Sequence, residues 1–269
     1  MELAEAILSS EKSLKQSLED FLKESFSNNL PLSHAINHHR RVWEYAKEIL
    51  IAARKQFDNQ EKDFIDKLLV ACYLHDTGMA TDPGTDHGKH SRAICERFFQ
   101  EMNLNPDNFQ EVLQVIEKHD NKEYKAAPQK DQLLILLSAA DDLDAFGYIG
   151  IYRFSEIYLM RKANPSEIGY LIQENAAGRF ENFRKNFNTH KEIVLKHKKR
   201  YEILMDFFRK YNNQIVSYNF GKANPSGYCG IIEILTESLN KSEDSLKKFS
   251  IDSDDAVIKL FFSELEKEW

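Results

Sequence analysis

Glycine and proline are scarce, ten and six in a chain of 269 residues. That excludes collagen-like and low-complexity chains, and it leaves too few turn residues for the many short strands of a sandwich or barrel. Alternating apolar-polar runs of useful length are missing as well, so strands have little support. Only three cysteines occur (Cys72, Cys95 and Cys229). They are scattered within apolar helical patterns, which excludes a disulfide frame or a zinc ribbon and reads as reduced core thiols. No run approaches the roughly eighteen apolar residues of a membrane span. Met1-Glu2-Leu3-Ala4-Glu5 lacks the basic start and apolar core of a secretory signal. A cytoplasmic protein with no membrane partner is the expectation. Basic excess is absent too: 36 Lys and Arg against 43 Asp and Glu leave a net charge of -7. No nucleic-acid partner is expected on that balance. A small phosphorylated substrate stays open, because a metal ion reverses the local sign.

What remains is a helical pattern almost throughout. Apolar positions recur at Leu3, Ile7, Leu14, Leu18, Phe21, Leu22 and Phe26, an amphipathic helix or pair of helices over 3–27. Asn28-Asn29-Leu30-Pro31 breaks it, and Ser33 is the expected cap of a helix over 34–56. Further helices are expected at 60–75, 88–103, 107–119, 129–143, 149–163, 165–187, 190–211, 227–242 and 254–267. Residues 76–87 form the longest loop-like segment. Asn105-Pro106 and Asn164-Pro165 give cap-then-proline helix starts. Lys162-Ala-Asn-Pro-Ser166 recurs as Lys222-Ala-Asn-Pro-Ser226 with unmatched flanks, which reads as two similar helix starts and not a repeat unit.

Three apolar helices each run into an ionisable cluster. Leu68-Leu69-Val70-Ala71-Cys72-Tyr73-Leu74 leads into His75-Asp76, Val112 to Ile116 leads into His119-Asp120, and Leu133 to Ala140 leads into Asp141-Asp142-Leu143-Asp144. Each alone reads as a polar helix end facing water. Together they suggest one site, since a shared cation is an economical partner for several buried helix ends. Other histidines are available at 34, 38, 39, 87 and 90, with His34 and His38 four apart on one face.

His38-x-x-Arg41-Val42, His75-Asp76 after an apolar helix, and Ala140-Asp141 followed by Leu143-Asp144-Ala145 together resemble the HD-domain metal-dependent phosphohydrolases. The run Ala140-Asp-Asp-Leu-Asp-Ala-Phe-Gly-Tyr-Ile-Gly-Ile-Tyr-Arg153 is similar to a subgroup that includes nucleotide pyrophosphohydrolases. The resemblance covers about residues 30–160. It implies an all-α HD-domain bundle over 30–160 with an N-terminal helical extension over 1–29. A C-terminal helical region over 161–269 would pack on the core. It implies metal ligands at His38, His75, Asp76 and Asp141, with His34 the alternative to His38. Asp76 is the catalytic candidate, binding the ion and orienting the attacking water. His87 and His119 match positions used for a second metal or for substrate phosphates, with His90 the substitute for His87. His39 belongs off the site or behind the ligands, and Asp144 is a packing or supporting carboxylate.

Mixed imidazole and carboxylate donors suit Mn²⁺, Fe²⁺, Co²⁺ or Ni²⁺ better than Mg²⁺. The expected reaction is hydrolysis of a phosphate ester or anhydride, with a nucleotide the expected substrate. The competing reading is a ligand-sensing or interaction protein that keeps fold and metal without turnover. The subgroup's arginine after Ala-Asp is Asp142 here. Substrate-phosphate contacts therefore fall to Arg153 first, then to Lys89, Lys122 or Arg92. The Glu-Asp pair of alarmone hydrolases and a Gly-Tyr-Pro tripeptide are both missing, so guanosine tetraphosphate and cyclic-di-GMP are not expected substrates. Basic and aromatic residues alternate through 165–211, most simply as an amphipathic helix with a charged outer face. The apolar stripe Ile251, Val257, Leu260, Phe261 and Leu265 either packs on the core or meets a second subunit of a homo-oligomer.

Overall fold

Helical spacing of the apolar residues is realised as helices, and no strand occurs among the described residues. The structure, a computed structural model, describes residues 2–26, 31–57, 61–82, 84, 86–120, 131–221, 224–239 and 243–269. Two compact units form. One comprises Met1–Leu30 with His34–Leu143, and the other comprises Pro31–Ser33 with Asp144–Trp269. The helix that follows Leu143 thus counts with the C-terminal helices.

The first unit contains α1 (Leu3–Ser10), a π-helical stretch Glu11–Lys15, α2 (Gln16–Phe26), α3 (Ile36–Ala52), α4 (Lys62–Leu74), α5 (His87–Glu101) and α6 (Gln110–Lys118). Most of α7 (Gln132–Asp144) belongs to it as well. Leu68 through Leu74 are all fully buried, as expected of a helix that is apolar all round. Accordingly α4 is central, touching α1, α2, α3, α5 and α6. Its end opens into a 3₁₀ turn, Thr77–Ala80, on which α5 rests.

Two glycines set how closely these elements approach. A Cβ on Gly78 would stand 2.0 Å from the His87 carbonyl oxygen, and one on Gly88 would stand 2.6 Å from that of Glu117. Gly78 N–H donates to Ser91 Oγ at 2.8 Å. The first turn of α5 is thereby seated between the end of α4 and the end of α6.

The second unit contains α8 (Gly147–Met160), α9 (Pro165–Phe187), α10 (Lys191–Ile215), α11 (Gly227–Glu237), α12 (Glu243–Asp252) and α13 (Ala256–Glu268). The phenylalanines of 165–211 face inward, while Tyr170 is exposed: Phe183, Phe187 and Phe208 are fully buried, and Phe180 stacks on Tyr201 with ring centroids 4.5 Å apart. That agrees with an amphipathic helix pair. Of the apolar stripe, Phe261 and Leu265 are buried and Val257 is half-buried, while Ile251 and Leu260 are exposed.

Several local expectations need correction. Ser33 does not cap α3. The residue before that helix is Ala35, and the Ser33 N–H donates instead to Glu156 Oε2 at 2.8 Å. Asn105 and Asn164 do cap, accepting from Asp107 and Ser166 N–H, but Asn105 starts a 3₁₀ turn and not an α-helix. Pro225 does not start a helix as Pro165 does, because α11 begins two residues later at Gly227. Residues 3–26 run as one helical stretch with π geometry in the middle. Helix α12 was not anticipated. Its polar opening, Glu243-Asp-Ser, and modest apolar stripe leave little periodic signal. The three cysteines are buried and free, and burial holds each thiol well above the ordinary range, so they are inert core groups.

Candidate metal centre

The ends of several helices of the first unit converge on one carboxylate. His38 sits in the first turn of α3, and His75 ends α4 with Asp76 directly after it. Asp141 lies in the last turn of α7. All four are buried. His38 Nε2 lies 3.2 Å from His75 Nε2 and 3.1 Å from Asp76 Oδ2, and His75 Nε2 lies 3.3 Å from the same oxygen. Asp141 Oδ1 is 3.9 Å from both imidazole nitrogens.

The second oxygen of Asp76 faces a second set. His119 Nε2 is 2.9 Å from Asp76 Oδ1, and His87 Nε2 is 3.5 Å from it. His87 opens α5 and His119 ends α6, so the two glycine contacts that seat α5 also deliver these rings. Asp76, His87 and His119 form a buried donor triad beside the four-residue group of His38, His75, Asp76 and Asp141. One carboxylate is common to both.

The ring tautomers suit cation binding. His75 Nδ1 lies 3.0 Å from the Cys72 carbonyl, His119 Nδ1 2.6 Å from that of Ile116, and His87 Nδ1 2.7 Å from that of Gly84. Each is a carbonyl three residues earlier. A ring that donates Nδ1–H to its carbonyl turns a bare Nε2 lone pair toward the Asp76 oxygens in its neutral form. Lone pairs facing carboxylate oxygens at 2.9–3.5 Å repel unless a proton or a cation stands between them. Bonds of about 2.1 Å at right angles put ligand atoms about 3.0 Å apart, and opposed ones about 4.2 Å. The spacings of 3.1–3.3 Å and 3.9 Å lie in that range, so the donor set fits a divalent ion.

Electrostatics point the same way. Burial acts to lower the His75 imidazole, but the Asp76 and Asp141 carboxylates outweigh it and push it up to about 10. Burial acts to raise Asp76, and His75, His119 and His38 together hold it well below the ordinary carboxylate range. The field therefore calls for positive charge between the rings and the carboxylates. His39 behaves in the opposite way. Burial, with His38 and His75 alongside, pulls it well below the usual imidazole value. It is a neutral ring beside the other two, 5.2 Å from the His38 ring and 5.6 Å from that of His75 between centroids, and it forms a third group of close donors with them.

Other candidates fall elsewhere. His34, buried in a 3₁₀ turn, also faces the cluster, 3.7 Å from Asp76 Oδ2 against 3.1 Å for His38. Lys89 is exposed and paired with Asp86 at 2.8 Å, and Arg92 is paired with Glu117 at 2.6 Å. Arg153 lies buried in the second unit, 3.1 Å from Asp144, which makes Asp144 a packing carboxylate. His90 is half-buried on α5, and Lys122 lies outside the described residues. One residue given no role from sequence stands at the site. Asp120 Oδ2 lies 3.7 Å from His87 Nε2 with its side chain 34% exposed. The signal was the dipeptide His119-Asp120, which repeats His75-Asp76 at a second helix end.

Residues 35–145 match the HD domain family. Among solved structures, a crystal structure of a structural-genomics target from Lactobacillus plantarum is similar, with a TM-score of 0.53 at 17% identity. The match covers 76% of this chain and 97% of that one, a likeness of fold alone. No curated protein matches the chain.

Proposed function

With residues 35–145 an HD domain inside an all-α chain, we propose that this protein is a metal-dependent phosphohydrolase acting on a phosphate ester or anhydride. We take its substrate to be a small phosphorylated molecule, a nucleotide by preference. One observation carries the reading: both oxygens of a single buried aspartate, Asp76, are each met by a separate set of imidazoles. His38, His75 and Asp141 would hold a first cation with Asp76 Oδ2. His87 and His119 would hold a second with Asp76 Oδ1, or receive a substrate phosphate oxygen. A divalent ion bound there would neutralise phosphoryl charge and lower the pKa of its bound water toward ~7.

The chain's own groups have defined tasks. The backbone carbonyls of Cys72, Ile116 and Gly84 fix the three ring tautomers, so the Nε2 atoms are aimed before any substrate arrives. Asp76 has neighbours on both oxygens and is held strongly ionised, which suits a bridging and orienting group better than a proton acceptor. His39 adds a neutral ring packed against His38 and His75. Imidazole donors favour Mn²⁺, Fe²⁺, Co²⁺ or Ni²⁺ over Mg²⁺. The nucleotide preference rests on the run Ala140 to Arg153 and its likeness to the pyrophosphohydrolase subgroup.

The test pairs metal analysis of the purified protein with a screen of nucleoside mono-, di- and triphosphates for phosphate or pyrophosphate release in Mn²⁺. Turnover lost in His75→Ala supports the proposal. Bound metal without turnover of any phosphate compound would favour a ligand-sensing protein. Absence of metal would overturn both.

A further inference from the structure

The triad of Asp76, His87 and His119 has a weakness as a cation site. Its one carboxylate is shared with the first site, so two neutral rings and half a carboxylate would face a full dication. Affinity in such sites follows the charge of the ligands, and on those terms the second ion would be poorly held. Asp120 lies beside His87, one member of the triad, and outside the group of three close donors. Its Oδ2 is 3.7 Å from His87 Nε2, on a side chain 34% exposed, while the side chains of His87, His119 and Asp76 are 4%, 1% and 7% exposed. It follows His119 directly in the chain, so the helix end that aims the ring also fixes the carboxylate.

We propose that Asp120 is a positioning carboxylate for the second cation. It acts on the triad from its more exposed side and would supply the negative charge the triad lacks. This rests on the two-cation form of the proposed function and goes beyond it by naming what retains the second ion. The first ion, held by four buried groups, does not depend on Asp120.

The test uses the full chain stripped of metal and titrated with Mn²⁺, read by calorimetry and by electron paramagnetic resonance. Two Mn²⁺ ions sharing Asp76 should give an exchange-coupled spectrum at full loading. In Asp120→Asn, which keeps shape and loses charge, the first binding event should be unchanged and the second weakened by about 10–100-fold. The coupled signal should give way to that of an isolated ion. Asp120→Glu should restore most of the second affinity. Two ions bound by Asp120→Asn with wild-type affinities would overturn the role of Asp120 and leave the two-cation reading standing. A wild-type protein that binds a single Mn²⁺ would overturn the two-cation reading and this inference with it.

Discussion

Asp76 is the residue on which the rest of the site depends. Its two oxygens face five imidazoles, those of His34, His38, His75, His87 and His119, so Asp76→Asn removes the shared charge and puts an amide N–H₂ where an acceptor is needed. Both ions should be lost together and turnover should fall by more than about a hundredfold. Metal content and phosphate-release kinetics on the same preparation check this. His34→Ala should be milder, since that ring lies 3.7 Å from Asp76 Oδ2 against 3.1 Å for His38. At this scale the His75 charge also makes a stability prediction. In the metal-free protein its folded value is about 10 against 6.5 unfolded. Its contribution is therefore full below pH 6.5 and is lost as pH rises toward 10. Asp76, depressed below its usual 3.8, contributes above that pH and loses its contribution in acid. Metal-free protein should be most stable between about pH 4 and 6.5. Thermal denaturation from pH 6 to 9 should show a falling Tm without metal. With Mn²⁺ present the fall should vanish or reverse, because cation binding favours deprotonated ligands. A Tm independent of pH in both series would contradict the assigned charge on His75.

At the scale of the element, the site is a matter of how helix ends meet. Gly78→Ala would drive a Cβ against the His87 carbonyl, 2.0 Å away, and backbone cannot step aside as a side chain can. The expected cost is about 1–3 kcal/mol or more. Weakened second-cation binding should accompany it, because the clash moves the first turn of α5. Denaturant unfolding together with Mn²⁺ titration checks both effects. What was legible here follows from signal strength. The run Leu68–Leu74 before His75-Asp76 announced a buried helix with a polar end, and Pro165 after Asn164 announced the start of α9. Ser33 misled because a cap needs its side chain at the helix mouth, whereas tertiary contact took its backbone to Glu156. Helix α12 was missed for want of apolar periodicity. Asp120 was visible as a residue but not as a neighbour of His87, a relation created only by α5 packing on α6.

For the whole molecule, the first unit carries the cluster. Metal stabilises whatever state binds it by RT ln(1 + [L]/Kd), about 2.7 kcal/mol at a hundredfold excess over Kd. At about 2–4 °C per kcal/mol for a chain or unit of 150–250 residues, Mn²⁺ should raise Tm by several degrees. Chelator should reverse the rise, and His75→Ala should abolish it. Differential scanning fluorimetry resolves shifts of that size. No helix among the described residues is long and apolar enough to cross a membrane. The buried free thiols lead to the further expectation that mild oxidation leaves Tm unchanged.

The candidate ligands His38, His75, Asp76, His87, His119 and Asp141 are strung over more than a hundred positions, and the last of them lies near the end of the first unit. During synthesis the ribosome must release residue 141 before the four-residue set is complete. A cation captured earlier would meet only a partial set and would exchange freely. Metal acquisition through this set would then wait for about the first half of the chain. Once made, it would tie together segments remote in sequence, much as a covalent cross-link would, yet a chelator could undo it.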